Sequence, residues 1–315
     1  MDALLNAPVI TGMLQSSIEI AVPLILAALG EIFAERAGLL NMGIEGMILI
    51  SCFITFFGVY YTGQVILAVL LSLLAGVLAG LFMGLFTMKL MANMSITGIV
   101  FNLLAGGLTG FFPRLLIGVS LVPVTIKKLA PLNLFHLKDL PYLGIVFRQS
   151  PLVYVTALLA PLSSFVLFRT NLGLSIRAVG GSAVAAETMG IPVLKIRYLC
   201  WCIACCFASL AGSYLVLNTG MFTEGMSANR GFIAIALVVF ARWRPSLAVV
   251  GAFLFGITDA FQLRLQALNL NVPFQLLVIL PYGMTIAVLL LAAKFKYVNP
   301  SVIGLPYVRE DSKGA

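Results

Sequence analysis

Charge is what this sequence has least of. Only 10% of its 315 residues are Asp, Glu, Lys or Arg, against about 25% in a soluble domain. Such a chain cannot cover its own surface with polar groups, so lipid must be its solvent. Histidine is down to one residue, His136, which excludes a His-based metal cluster. The sequence holds no G-x-x-x-x-G-K-[ST] phosphate loop, so the chain is not expected to hydrolyse ATP itself. No hydrolytic motif stands out, and an intramembrane enzyme is disfavoured by the lack of a His, metal or nucleophile constellation. The opening MDALLNAPVITGM carries Asp2 and no basic stretch ahead of an apolar core. It does not read as a cleavable signal peptide, and insertion is expected to rely on the spans themselves.

What is present is apolar: 61% of the residues are hydrophobic and the mean hydropathy is +1.11. Runs near the ~20 residues that a helix needs to cross the hydrocarbon recur along the whole length. They fall at 18–34, 39–60, 64–88, 94–117, 151–168, 198–218, 231–241 with 245–263, and 273–293. The fold class read from them is all-α: a polytopic membrane helix bundle of about 8–10 transmembrane helices, some broken or re-entrant, forming one domain over 1–315. The stretch 231–241 is too short to cross unless it extends back through 219–230 or is a re-entrant half-helix.

The net charge of +8 does not indicate nucleic acid, because Lys and Arg gather in short loops as the positive-inside rule expects. With 169–197 on the cytosolic side, alternation puts Arg36, Lys89, Arg242, Arg244, Lys294 and Lys296 inside, together with the tail residues Arg309 and Lys313. Arg230, Arg264 and the long loop 118–150, with Lys127, Lys128, Lys138 and nearby Arg148, fall outside. Of the five cysteines, Cys202 and Cys205 form a formal C-x-x-C, but the segment YLCWCIACCFASLAG is apolar throughout. The expectation is packing rather than zinc or redox chemistry. Gly76, Gly80 and Gly84 recur every four residues, the small-xxx-small pattern of closely packed membrane helices.

Polar groups at membrane depth are costly and usually face a cavity or a partner. Asn41 and Glu45 lie four apart in LLNMGIEGMILI, where Gly43 and Gly46 weaken the helix locally. One reading has Asn41 and Glu45 line a translocation route. The other has Glu45 near the interface, paired with Arg36 or capping a helix end. Asn93, Thr97 and Asn102 are the further candidates for a route. Asp259 is expected to pair with Arg264, and Glu224 to lie in an external loop. Phe101, Phe111, Phe112, Phe232 and Tyr282 have faces able to stack a flat ligand, although aromatics at this density usually pack or face lipid.

One polar island interrupts the apolar pattern, Asn171–Tyr198, NLGLSIRAVGGSAVAAETMGIPVLKIRY. Gly180–Gly181–Ser182 gives a break and an N-cap. Ala183 to Met189 has helical propensity. Gly190 suits a C-cap and Pro192 stops the helix. An island of this kind suits contact with another protein, although a solvated loop with a helical turn reads equally from the same residues.

Arg177-Ala178-Val179-Gly180, Ala186, Gly190-Ile191 and Arg197-Tyr198 resemble the coupling segment of bacterial ABC importer permeases of the branched-chain amino acid and simple-sugar type. AERAGLLNMGIEGM at 34–47 is similar to the opening signature of the nucleoside and simple-sugar branch. GFIAIALVVFARWRPSLAVVGAFLFGITDAFQLRLQ at 231–266 resembles its later segment, including the Arg-Trp-Arg-Pro turn. The chain looks most like the shorter of the two permeases that nucleoside systems often pair.

The resemblance implies a multi-pass protein of the bacterial cytoplasmic membrane. A partner ATPase carrying ATP and Mg would grip Ala183–Gly190, with Arg177, Gly180, Ala183, Ala186, Glu187, Gly190, Pro192, Lys195 and Arg197 as coupling residues. The other implied partners are a second permease, copy or paralogue, an extracytoplasmic binding protein or lipoprotein, and membrane lipid. The implied cargo is a nucleoside, purine nucleosides first, moved inward by alternating access. A simple sugar comes next. The competing class is an ion-coupled secondary transporter, which calls for mid-membrane acids; Glu45 and Asp259 are the candidates that the sequence offers.

Overall fold

A computed structural model describes residues 7–118, 124–131, 148–267, 274–293, 303–304 and 307. His136, Lys138, Lys294, Lys296, Arg309, Lys313 and the side chain of Tyr282 lie outside the described residues.

Eleven α-helices carry the described chain: α1 (Ala7–Arg36), α2 (Ile44–Thr62), α3 (Val65–Gly84), α4 (Met94–Ile117), α5 (Pro151–Arg169), α6 (Asn171–Gly181), α7 (Ala183–Thr188), α8 (Val193–Thr219), α9 (Arg230–Phe240), α10 (Pro245–Ala267) and α11 (Phe274–Ala293). A π-helical turn, Leu85–Lys89, extends α3. Among these residues the only β pairing is an isolated antiparallel bridge, Thr125 to Met221, which lays part of the long loop against the end of α8. Seven helices are long and apolar enough to cross a membrane: α1 from Thr11, α2, α3 with its π turn, α4, α5, α8 and α10. The chain is a polytopic all-α membrane bundle.

Two helices form its spine. Every residue of α1 from Ala21 to Ala34 is buried. α8 packs along α1, α2 and α3. Lipid tails are as apolar as leucine, so helices in a membrane associate through close packing rather than water exclusion. The expected small-residue face supplies that packing. Gly76 meets the backbone of Cys205 and Cys206, and Gly80 meets that of Cys202 and Trp201. The cysteines are the other half of this seam. Cys200 and Cys205 are buried, Cys202 and Cys206 half-buried, and all are free thiols. The outer faces of α3 and α4 carry residues such as Ile66 and Leu103, 78% and 72% exposed, which suit lipid.

Two elements depart from a simple spanning helix. After α1, residues 37–43 turn back into the protein, and Leu39 and Asn41 are buried. α9 has only 11 residues and so rises about 16 Å at ~1.5 Å per residue, half a ~30 Å hydrocarbon layer. Residues 220–229 do not extend it as helix. Of the two readings of 231–241, the half-helix is the one observed.

Candidate functional site

The polar island folds as two helices at the end of the bundle where Arg36, Arg169 and Arg242 gather. Thr170 caps α6 by accepting the Gly173 N–H at 3.2 Å. Ser182 caps α7 by accepting the Ala185 N–H at 3.3 Å. Gly190 then adopts φ +80°, a left-handed value that favours glycine, and Pro192 precedes α8. The second helix, its cap and its stop were legible as sequence; α6 was not, although Thr170 is its capping signal.

α7 has two distinct faces. Ala183 and Ala186 are buried in an apolar cluster with Val179, Val193 and Tyr307. Val184, Ala185, Thr188, Met189 and Gly190 are exposed, with Met189 81% exposed at the tip. Pro192 and Lys195 are exposed beside it, and Arg177 and Glu187 are half-buried. Arg197, expected as a flanking basic residue, is instead fully buried. Its guanidinium lies 5.9 Å from the centroid of the Tyr307 ring, and the Tyr307 hydroxyl donates to Glu187 Oε2. The C-terminal segment thus clasps the island, which no local signal in the sequence announced. Gly304 N–H, donating to Gly38 O at 3.0 Å, anchors the same segment to the end of α1.

The seat beneath α7 joins all three of the family-like segments. Gly180 lies against the Arg36 carbonyl, with no room there for a Cβ. Arg36 and Arg177 flank the Phe168 ring at 5.7 and 5.3 Å. Arg36 also donates to the carbonyl of Trp243 at 3.2 and 3.3 Å and to that of Arg242 at 3.4 Å. Arg242 and Trp243 hold the left-handed φ values of 52° and 55°, so these hydrogen bonds fix a strained corner between α9 and α10. Trp243 Nε1 donates to Glu35 of α1. Arg36 therefore serves this corner, not Glu45.

Glu45 caps a helix, but not its own. Its Oε1 accepts the Asn229 N–H at 2.8 Å and its Oε2 the Gly231 N–H at 2.7 Å. The carboxylate thereby meets the positive N-terminal end of the half-helix α9. Asn102 of α4 does the same for α2: its Oδ1 accepts Gly46 N–H at 2.7 Å, and its Nδ2 donates to Met42 O at 2.7 Å. Asn41 completes the group, its N–H donating to Glu31 Oε1 at 3.2 Å and its Oδ1 accepting from Gly43 N–H. Asn41, Glu45 and Asn102 therefore converge where two helices begin inside the bundle.

Asn93 and Thr97 do not join them. Asn93 is exposed and caps α4 through Ser95 N–H and Ile96 N–H, and Thr97 donates back to Asn93 O at 2.9 Å. The sequence reading also missed two acids. Glu31 and Glu35 are both buried on α1; their i, i+4 spacing in an apolar run was the available signal. The expected Asp259–Arg264 ion pair does not form. The ion pair among the described residues is Arg114–Glu224, exposed, at 2.9 Å. Of the aromatic candidates, Phe101 is buried, and Phe111, Phe112 and Phe232 are exposed.

The model of the family of branched-chain amino acid transport system permease components matches residues 13–289. A Haloferax volcanii protein named as a putative glucose ABC transporter permease is 38% identical over 95% of this chain and 98% of its own length. The guanosine ABC transporter permease protein NupQ of Bacillus subtilis is 32% identical over 92% and 94%. The nucleoside ABC transporter permease protein NupC of Lactococcus lactis is 29% identical over 91% and 93%. No solved structure matches the chain. With seven membrane-capable helices and a match across most of its length, the chain belongs to the branched-chain amino acid transport system permease family, as a multi-pass transport subunit and not an enzyme.

Proposed function

We propose that this chain is the membrane-spanning subunit of an ATP-driven importer of nucleosides, purine nucleosides first. The observation that carries the mechanism is the two-faced α7, whose apolar rear is locked to the bundle while Val184 and Met189 stand free. Exposed apolar residues on a polar helix suit a groove on another protein. Permeases of this family work with an ATPase and a substrate-binding protein. The ATPase, with ATP and Mg, takes the exposed face of α7 on the cytosolic side, the side that the basic residues favour. The remaining partners are a second permease, copy or paralogue, and an extracytoplasmic binding protein.

Force applied to α7 reaches the route through a short chain of contacts. Gly180 bears on the Arg36 carbonyl, Arg36 holds the α9–α10 corner, and α9 begins at the carboxylate of Glu45. A rigid shift of α6 and α7 therefore moves the half-helix whose inner end lies beside Asn41, Glu45 and Asn102. Broken helices of this kind are tolerated where they line a cavity or pack on protein. The relatives named for guanosine and nucleosides support the cargo. A simple sugar is the second reading, favoured by the Haloferax relative named for glucose.

The test is uptake by vesicles carrying the whole assembly. Nucleoside accumulation should require ATP and the ATPase, and should survive collapse of the proton gradient. Uptake that persists without ATP and stops with the gradient would reject the importer reading in favour of an ion-coupled carrier.

A further inference from the structure

A second polar feature lies at the start of α9. A half-open cavity of about 210 Å³ is lined by α1, α9, α10 and α11, with Arg230, Asp259, Gln262 and Phe255 in its wall. Phe255, Asp259 and Gln262 are spaced by four and three, so α10 turns one face to it. Gln262 is only 7% exposed and lines the cavity. Among the described residues neither the Gln262 nor the Asp259 side chain has a hydrogen-bond partner. Arg230 is held in place by Nη1, which donates to the carbonyls of Met226 at 3.2 Å and Ser227 at 3.3 Å. Arg230 and Asp259 face the same space yet form no ion pair.

That arrangement needs an occupant. Ionised and amide groups inside a membrane are costly unless they face a partner or a polar space. Between them these three side chains offer a carboxylate acceptor, an amide with both capacities, and a guanidinium donor. One negative and one positive group give no preference for a charged ligand. A carboxylate accepts from two neighbouring hydroxyls, while the amide and guanidinium donate to hydroxyl oxygens. Phe255 adds an apolar wall for the C–H face of a ring. At about 210 Å³ the cavity has room for several waters or for a single sugar ring.

We propose that this cavity is a subsite for the hydroxylated ring of the cargo, with Asp259 accepting from adjacent hydroxyls, and Gln262 and Arg230 donating to them. The inference rests on the importer reading and narrows its cargo to neutral molecules carrying a vicinal diol. A free sugar and the ribose of a nucleoside share that chemistry. The subsite adjoins the capped start of α9, so the shift of α9 described above would alter its shape, coupling release to the motor.

The test uses vesicles carrying the full assembly with one unchanged binding protein, and four labelled solutes: adenosine, 2′-deoxyadenosine, glucose and 3-deoxyglucose. Which parent compound the unmodified assembly imports identifies the source of the ring. Asp259→Asn and Gln262→Leu are each expected to lower kcat/KM for that parent about tenfold, the scale of one charge-assisted hydrogen bond. The deoxy analogue should lose less. The ATPase should copurify with both variants, which shows that they fold and assemble. Unchanged uptake in both variants would overturn the subsite, as would equal losses for parent and deoxy compound, which mark a structural role. If the unmodified assembly imports neither parent, the nucleoside and sugar readings fail together, and the subsite with them.

Discussion

At the scale of single residues, the route candidates act first as caps. Glu45 accepts two backbone N–H groups at the start of α9, from exposed Asn229 and part-buried Gly231, donors that the helix itself leaves unpaired. Glu45→Ala should therefore destabilise the protein by about 2 kcal/mol, from the lost cap and unsatisfied donors. Thermal unfolding in detergent measures this, and an unchanged midpoint would deny the cap its role. Glu224 is a contrasting acid. It is exposed, and its hydrogen bond from Arg114 holds its carboxyl below the ordinary range. A lowered carboxylate stabilises above its unfolded pKa, near 4.3, and that contribution is lost as pH falls through the folded value. Glu224→Gln should lower the melting temperature slightly at neutral pH and leave it unchanged at low pH, so that its acid-side slope flattens. Asn41 and Glu45 were legible because polar residues near glycines are rare in an apolar run. What Glu45 holds was not legible, because its partners lie more than 180 positions away.

At the scale of elements, the polar island shows what local signals carry and where they stop. Ser182, Gly190 and Pro192 encode the start and stop of α7 through capping geometry, so that helix was readable. Local chemistry does not tell which face of a six-residue helix is buried. Ala183 and Ala186 turn inward, and Val184 and Met189 outward, as tertiary contacts with Val193 and Tyr307 decide. Arg197 was read as a surface cation for the same reason: its covering residue, Tyr307, arrives from 110 residues downstream. Tyr307→Phe keeps the ring over Arg197 and removes the hydroxyl that Glu187 accepts. It should loosen α7 with little change in overall stability, within about 1 kcal/mol. The expected sign is ATP hydrolysis that responds less to the loaded binding protein; hydrolysis coupled as before would show that the clasp is not part of transmission.

At the scale of the whole molecule, three segments far apart in sequence meet at one corner. Glu35 and Arg36 come from α1, Gly180 from α6, and Arg242 and Trp243 from the α9–α10 turn. The likeness of those segments to one family was visible in the chain, and so was the bundle class. Their convergence was not, since hydropathy carries no information on which spans are neighbours. The same gap hid Glu31 and Glu35 inside α1, and hid the cavity that unites Arg230 with Asp259.

The central claim is that an external motor grips the exposed face of α7, and crosslinking tests it most directly. Met189→Cys in the intact assembly, treated with a short reagent that joins a thiol to an amine, should yield a covalent adduct with lysines of the ATPase. The unmodified chain, whose five cysteines are buried or half-buried in the bundle, should yield none, and neither should Leu103→Cys on the lipid-facing side of α4. Adduct from Met189→Cys alone, with its yield changing on addition of ATP, is the result expected. No adduct from Met189→Cys in an assembly that imports normally would contradict the account.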